Sequence, residues 1–297
     1  MKFRDHVLIS PIARFVTEEH IRTLLILFSA IVFVFFTTKD YIPFAARLIV
    51  PFLLLLLVTA TDMRQRFNLL FWITLGLALN VVMNFYVIAN HGFVITYIGI
   101  ALMIACASGE DASKNISRAA VFLISILMGL ALIQKLISPH YMSGDLIGSY
   151  LANGYMFKTL ISLVDPNWPQ TVHQNLAAQK TLMNAGPVVS ASMGVTIPPM
   201  IQALAIVLTW MALASQVIIE ACVLLRNKMG VWVHYAIILF VLIIYSTRNE
   251  NVFLSMNLIL GYAITNETTK SIRLWYVVGI AYLMIMEAMG LRPGIIG

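Results

Sequence analysis

Lys135 closes the run Gly129-Leu130-Ala131-Leu132-Ile133-Gln134-Lys135, where an ionisable side chain stands among residues that otherwise favour hydrocarbon. On insertion scales such a group costs about 2.5–3.5 kcal/mol near the centre of a membrane helix, so it needs a reason to be there. Two reasons fit. The ammonium can snorkel to the headgroups on its four-carbon stem, or it can line a cavity where lost hydration disfavours the charged form and leaves the amine a usable base. Asn90-His91, followed by Gly92, reads either as a tight turn or as an orienting and proton-shuttling pair. His140 and His173 share the side predicted for Lys135. His234 begins another apolar run and fits either a hydrogen bond to a neighbouring helix or a ligand contact. Glu220, shortly before Arg226, fits an ion pair or a proton carrier. Asn80, Asn84, Gln202, Gln216 and Asn257 read as formers of interhelical hydrogen bonds, and Glu287 as a wet group near the end of the last run.

These residues sit in a chain built for lipid. Of 297 residues, 60% are hydrophobic and 11% charged, against about 25% charged in an average soluble domain. Mean hydropathy is +0.89, more apolar surface than a 33.1 kDa globule can hide. A soluble enzyme, a disordered chain and a nucleic-acid-binding domain are therefore excluded, and the net charge of +6 belongs to segments flanking apolar runs. No Gly-rich phosphate loop, paired-histidine zinc helix or nucleophile elbow occurs, and no metal centre is expected. Cys106 and Cys222 read as small buried residues.

Apolar runs near 23–37, 47–60, 69–89, 93–107, 119–137, 197–225, 231–247, 251–265 and 273–290 predict an all-α polytopic transmembrane bundle of eight or nine spans. The runs 47–60 and 251–265 are the weakest. Residues 1–22 read as an interfacial segment and 23–297 as one helical membrane domain. Counting Lys and Arg on alternate sides gives twelve inside and seven outside with the N-terminus inside. Nine spans then leave the C-terminus outside, in what reads as a bacterial cytoplasmic membrane. The stretch 138–196 is too long for a plain connection and too apolar for disorder. It reads as interfacial helices forming a long outer loop, with 170–184 amphipathic.

The segment from about 80 to 265 resembles the HTTM family, which includes the membrane part of vitamin K-dependent gamma-carboxylase. The resemblance rests on Asn90-His91 opening a run that ends in Ser108-Gly109-Glu110-Asp111. It rests also on Gly129 to Leu136 followed by Gly144, on the long loop leading to Glu220, and on Arg226 followed by His234 and a polar-interrupted run from Asn251. It implies Lys135 as a base towards a quinone-like hydroquinone, with Asn90 and His91 near the same outward cavity. Gln134, His140, Gly144, His234 and Glu220 are then candidate ligand-binding residues. Gln134 stands where the carboxylase has a second lysine, and Tyr141-Met142-Ser143 replaces the usual aromatic before the glycine. Carboxylation of a peptide does not carry over. The cavity would take a quinone, a lipid or a hydrophobic peptide. The cofactor stays unknown on sequence grounds, and the partners are the lipid bilayer and protein subunits of a membrane complex. The alternative function is a non-enzymatic accessory or scaffold subunit, and the third a transporter, although no internal repeat supports one.

Overall fold

The computed structural model describes residues 9–39, 42–86, 90–154, 156, 161, 166–184, 196–247 and 250–290. The helices in chain order are α1 (Ile9–Glu18), α2 (His20–Thr38), α3 (Phe44–Thr59), α4 (Met63–Met83), α5 (Asn90–Ala107) and α6 (Ala112–Leu136). There follow α7 (Pro139–Met142), α8 (Asp145–Ala152), α9 (Trp168–Asn184), α10 (Pro199–Leu224), α11 (Arg226–Met229), α12 (Trp232–Thr247), α13 (Asn251–Ala263) and α14 (Arg273–Ala288). Short 3-10 turns precede α6 and α14, and no strand occurs among the described residues.

Five helical segments are long and apolar enough to cross a membrane: His20–Thr38, Met63–Met83, Ala112–Leu136, Pro199–Leu224 and Lys270–Ala288. Four shorter apolar helices, Phe44–Thr59, Gly92–Ala107, Trp232–Tyr245 and Asn251–Ala263, fall on the other runs seen in the sequence. The outward surface is that of a lipid-facing bundle. On α3, Val50, Leu54 and Leu57 form the buried stripe, while Phe44, Leu48, Ile49, Phe52 and Leu55 are exposed. On α4, Leu70, Ile73, Thr74, Leu77 and Asn80 face inward, and Phe71, Trp72, Leu79 and Val82 face out. In water such apolar surfaces would aggregate; in hydrocarbon they are the natural exterior.

The chain divides into two compact units. The first comprises Met1–Ile126, Cys222–Val241 and Glu250–Leu291. In it, α2 packs against α3, α5, α13 and α14, and α4 packs on α3 and α5. Helix α13 is the inner element: Asn251 to Ala263 are buried almost throughout. Thirteen residues at 1.5 Å each give roughly 20 Å, less than the hydrocarbon thickness of about 30 Å. A helix apolar all round and walled by protein explains both its shortness and its tolerance of Asn251, Ser255 and Asn257.

Both ends of this unit are tied by polar contacts. At one end Lys39 Nζ lies 2.9 Å from Glu287 Oε1, and Asn251 Nδ2 donates to Glu287 Oε2 at 3.3 Å. Glu287 is thus paired and mostly buried, not simply wet. At the other end stand His20, Tyr262 and Arg273. Helices α2 and α14 therefore run in one direction and α13 in the other. Two further expectations change. Asn84 bonds Asn80 within its own helix, and Asn257 donates to Phe253 O within α13. An amide in an apolar helix can satisfy itself on the preceding turn without reaching a neighbour.

The second unit comprises Leu127–Ala221, Leu242–Asn249 and Arg292–Gly297. Its core gathers Tyr141, Ile147, Leu151, Ile161, Trp168, Val172, Ile201, Ala205 and Leu213. The long loop therefore contains α7, α8 and α9. Trp168, Val172 and Asn175 form the buried stripe of α9. Trp168 Nε1 donates to Leu151 O at 3.1 Å, and Asn175 Nδ2 reaches Ala152 O and Thr196 O, each at 3.1 Å. Ser138 caps α7 and accepts from Tyr141 N. Gly144 has φ +80°, and a Cβ there would meet the Ile206 backbone nitrogen at 3.1 Å, so only glycine allows this approach to α10.

Candidate functional site: a basic cleft at the helix ends

The first unit opens into a cleft of about 650 Å³. Lys114 and Arg118 reach it from the start of α6, Arg226 from α11, His234 from the start of α12 and Arg273 from the start of α14. Glu267 supplies the one carboxylate in the lining among the described residues. Four cationic side chains against one carboxylate make a positive basin. The starts of α6, α12 and α14 add the positive ends of three helix dipoles.

The loop after α13 shapes the wall. Thr265-Asn266-Glu267-Thr268-Thr269-Lys270 is a polar run between two apolar ones. Asn266 Oδ1 accepts from Thr268 N at 3.0 Å and Thr269 N at 3.1 Å, the side-chain-to-backbone pattern of an Asx turn. Lys270 donates to Glu267 at 2.9 Å. This hydrogen bond and the lysine's charge hold the Glu267 carboxyl below the ordinary carboxylate range.

Behind the wall the contacts are buried. Arg273 is 3% exposed; its Nε donates to Thr265 Oγ1 at 2.8 Å, and a second nitrogen donates to Thr17 O. Tyr262 donates from its hydroxyl to Val16 O at 2.8 Å. The last carbonyls of α1, which no residue of that helix can satisfy, are thereby capped by side chains from α13 and α14. His20 stacks on Tyr262, with ring centroids 5.3 Å apart. Its Nδ1 lies 2.7 Å from Ser113 Oγ, and its Nε2 lies 3.4 Å from Tyr262 O. Ser113 itself is exposed in the cleft. His234 Nδ1 meets Tyr276 Oη at 2.9 Å, a bond between α12 and α14.

The candidate residues named from the sequence are divided between the units. Asn90 and His91 open α5, but their side chains lie outside the described residues. Lys135 is half-buried in the second unit, its ammonium 5.4 Å from the centre of the Tyr141 ring. Gln134 is exposed, and His140 is exposed with Nδ1 3.8 Å from Asp145 Oδ2. Glu220 lies on α10, with Oε2 enclosed and without a hydrogen-bond partner among the described residues. Among the described candidates, His234 alone lines the basic cleft. Ser113, Arg118, Arg226 and Arg273 were legible only as flanking charge and polarity. The polar run 265–270 and His20, three residues before the first apolar run, are the signals in the sequence that could have pointed to this end. No family model, no curated protein and no solved structure matches the chain.

Proposed function

We propose that the chain is an integral membrane protein of nine helical spans whose basic cleft holds the phosphate-bearing head of a lipid-like amphiphile. The observation that carries this reading is the cleft itself, with Lys114, Arg118 and Arg226 lining one volume and the charge of the buried Arg273 in its wall. Guanidinium forks grip phosphate oxygens through paired N–H donors, and three helix starts add to the field. Trp232, Tyr235 and Trp275 favour an amphiphile over a soluble phosphate. They are exposed beside the cleft-lining residues of α12 and α14, at the depth where aromatic side chains mark the membrane–water boundary. The positive-inside count supports a cleft open to the cytoplasm.

Native mass spectrometry of the detergent-solubilised protein tests this with two lipids of equal tails, dioleoyl phosphatidic acid and dioleoylglycerol. The phosphatidate is expected to stay bound and the diacylglycerol to be lost. The double variant Arg118→Gln/Arg226→Gln should weaken phosphatidate binding at least tenfold. Equal retention of both lipids overturns the reading.

A second reading follows the HTTM resemblance, with Lys135 as a base towards a quinone-type cosubstrate. It is supported by the position of Lys135 against Tyr141, at the foot of the separate helical core of the long loop. A quinone that co-purifies with the parent chain and is lost in Lys135→Ala would support it; no such molecule, or one unaffected by the substitution, would sink it.

A further inference from the structure

We propose that Ser113 is a nucleophile towards phosphorus, with His20 as its base, so that the cleft cleaves a phosphoester of the amphiphile it binds. The inference rests on the reading of the cleft given above. Three elements bring the parts together: His20 from the start of α2, Ser113 from the start of α6, and the Tyr262 carbonyl from the end of α13. A carbonyl oxygen only accepts, so the contact of His20 Nε2 with Tyr262 O at 3.4 Å places the ring proton on Nε2. Nδ1 is then the lone pair that faces Ser113 Oγ at 2.7 Å and accepts its proton. This is the order of a hydroxyl, an imidazole and a fixing acceptor by which a histidine activates a serine. The stack on Tyr262 holds the imidazole plane, and the ring is buried while the serine opens to the cleft. The base is therefore rigid and dry, and the nucleophile reachable. Arg118 and Arg226 supply the cations that a phosphorane-like charge requires.

The chemistry balances with water as the sole co-reactant. Ser113 Oγ attacks phosphorus as its proton passes to His20 Nδ1, and the bond from phosphorus to the ester oxygen breaks. That oxygen leaves with the proton from His20 as an alcohol. Water then attacks the phosphoserine, gives a proton to His20, and releases phosphate while the proton returns to Ser113.

A long-chain alkyl fluorophosphonate tests the step on the full-length protein in detergent, because attack at its phosphorus expels fluoride and leaves a stable adduct. Peptide mapping is expected to find the adduct on Ser113. His20→Gln should slow labelling about 100-fold, the scale of a lost general base, while still binding phosphatidic acid. An adduct absent from Ser113 in a parent protein that binds phosphatidic acid overturns the serine and leaves the cleft reading intact. Labelling as fast in His20→Gln as in the parent overturns the role of His20. Failure of Ser113→Ala, which lacks the nucleophile and cannot turn the lipid over, to bind phosphatidic acid overturns the cleft reading, whatever the serine does in the parent.

Discussion

His234 and Tyr276 show what a polar side chain does inside this protein. Each is almost wholly buried, and each satisfies the other at 2.9 Å. Removing the hydroxyl leaves a buried imidazole nitrogen without its partner, and an unpaired buried polar group costs about 1–3 kcal/mol. Tyr276→Phe is therefore expected to destabilise the protein by about that amount, read as a lower midpoint in thermal unfolding in micelles. The exposed pair Lys270–Glu267 is the contrast: Lys270→Met should change stability by less than about 0.5 kcal/mol, since solvent screens a surface ion pair. The sequence marked His234 as a residue needing a partner, because polar groups in apolar runs are seldom alone. It did not name Tyr276, which lies 42 residues away. It also passed over His20 and Ser113, whose contact spans 93 residues and has no local spacing to betray it.

Among the elements, α13 is where sequence and structure differ most usefully. Its short run with Asn257 and Gly261 read as a weak span because a lipid-facing helix must be long and apolar. Walled by α2 and α14 it need be neither. Gly261 permits the closest of these approaches: a Cβ there would lie 2.6 Å from Tyr276 Cε1. Gly261→Ala should destabilise by about 1–3 kcal/mol, the range for overpacking a filled core. Gly129, with nothing within 4 Å, sits in mid-helix, and Gly129→Ala should stabilise by about 0.5–1 kcal/mol. Opposite signs in unfolding experiments check the pair, and equal effects would contradict the packing described. The amphipathic stretch 170–184 was legible because its apolar period survives in α9. The capping of α1 was not, because the caps come from Tyr262 and Arg273, at the far end of the chain.

For the molecule as a whole, the sidedness of the cleft has a direct check. In a background with Cys106 and Cys222 replaced, a cysteine at Lys228 or Glu267 should react with a membrane-impermeant maleimide only from the cytoplasmic face. A cysteine at Thr37 should react only from the opposite face. Labelling of 267 and 37 from one side would overturn the direction of α2 and α14 relative to α13, and with it the proposed topology. The sequence by itself determined that this chain lives in lipid, that helices carry it, and roughly where each begins. Hydropathy and helical period are local properties, and no folding is needed to read them. Tertiary structure decided which charges share a volume. Lys114, Arg118, Arg226 and Arg273 read along the chain as separate flanking cations that orient spans. They become one site because helices that alternate in direction return their ends to the same level. These flanking charges are thereby gathered around a cleft that no single segment contains.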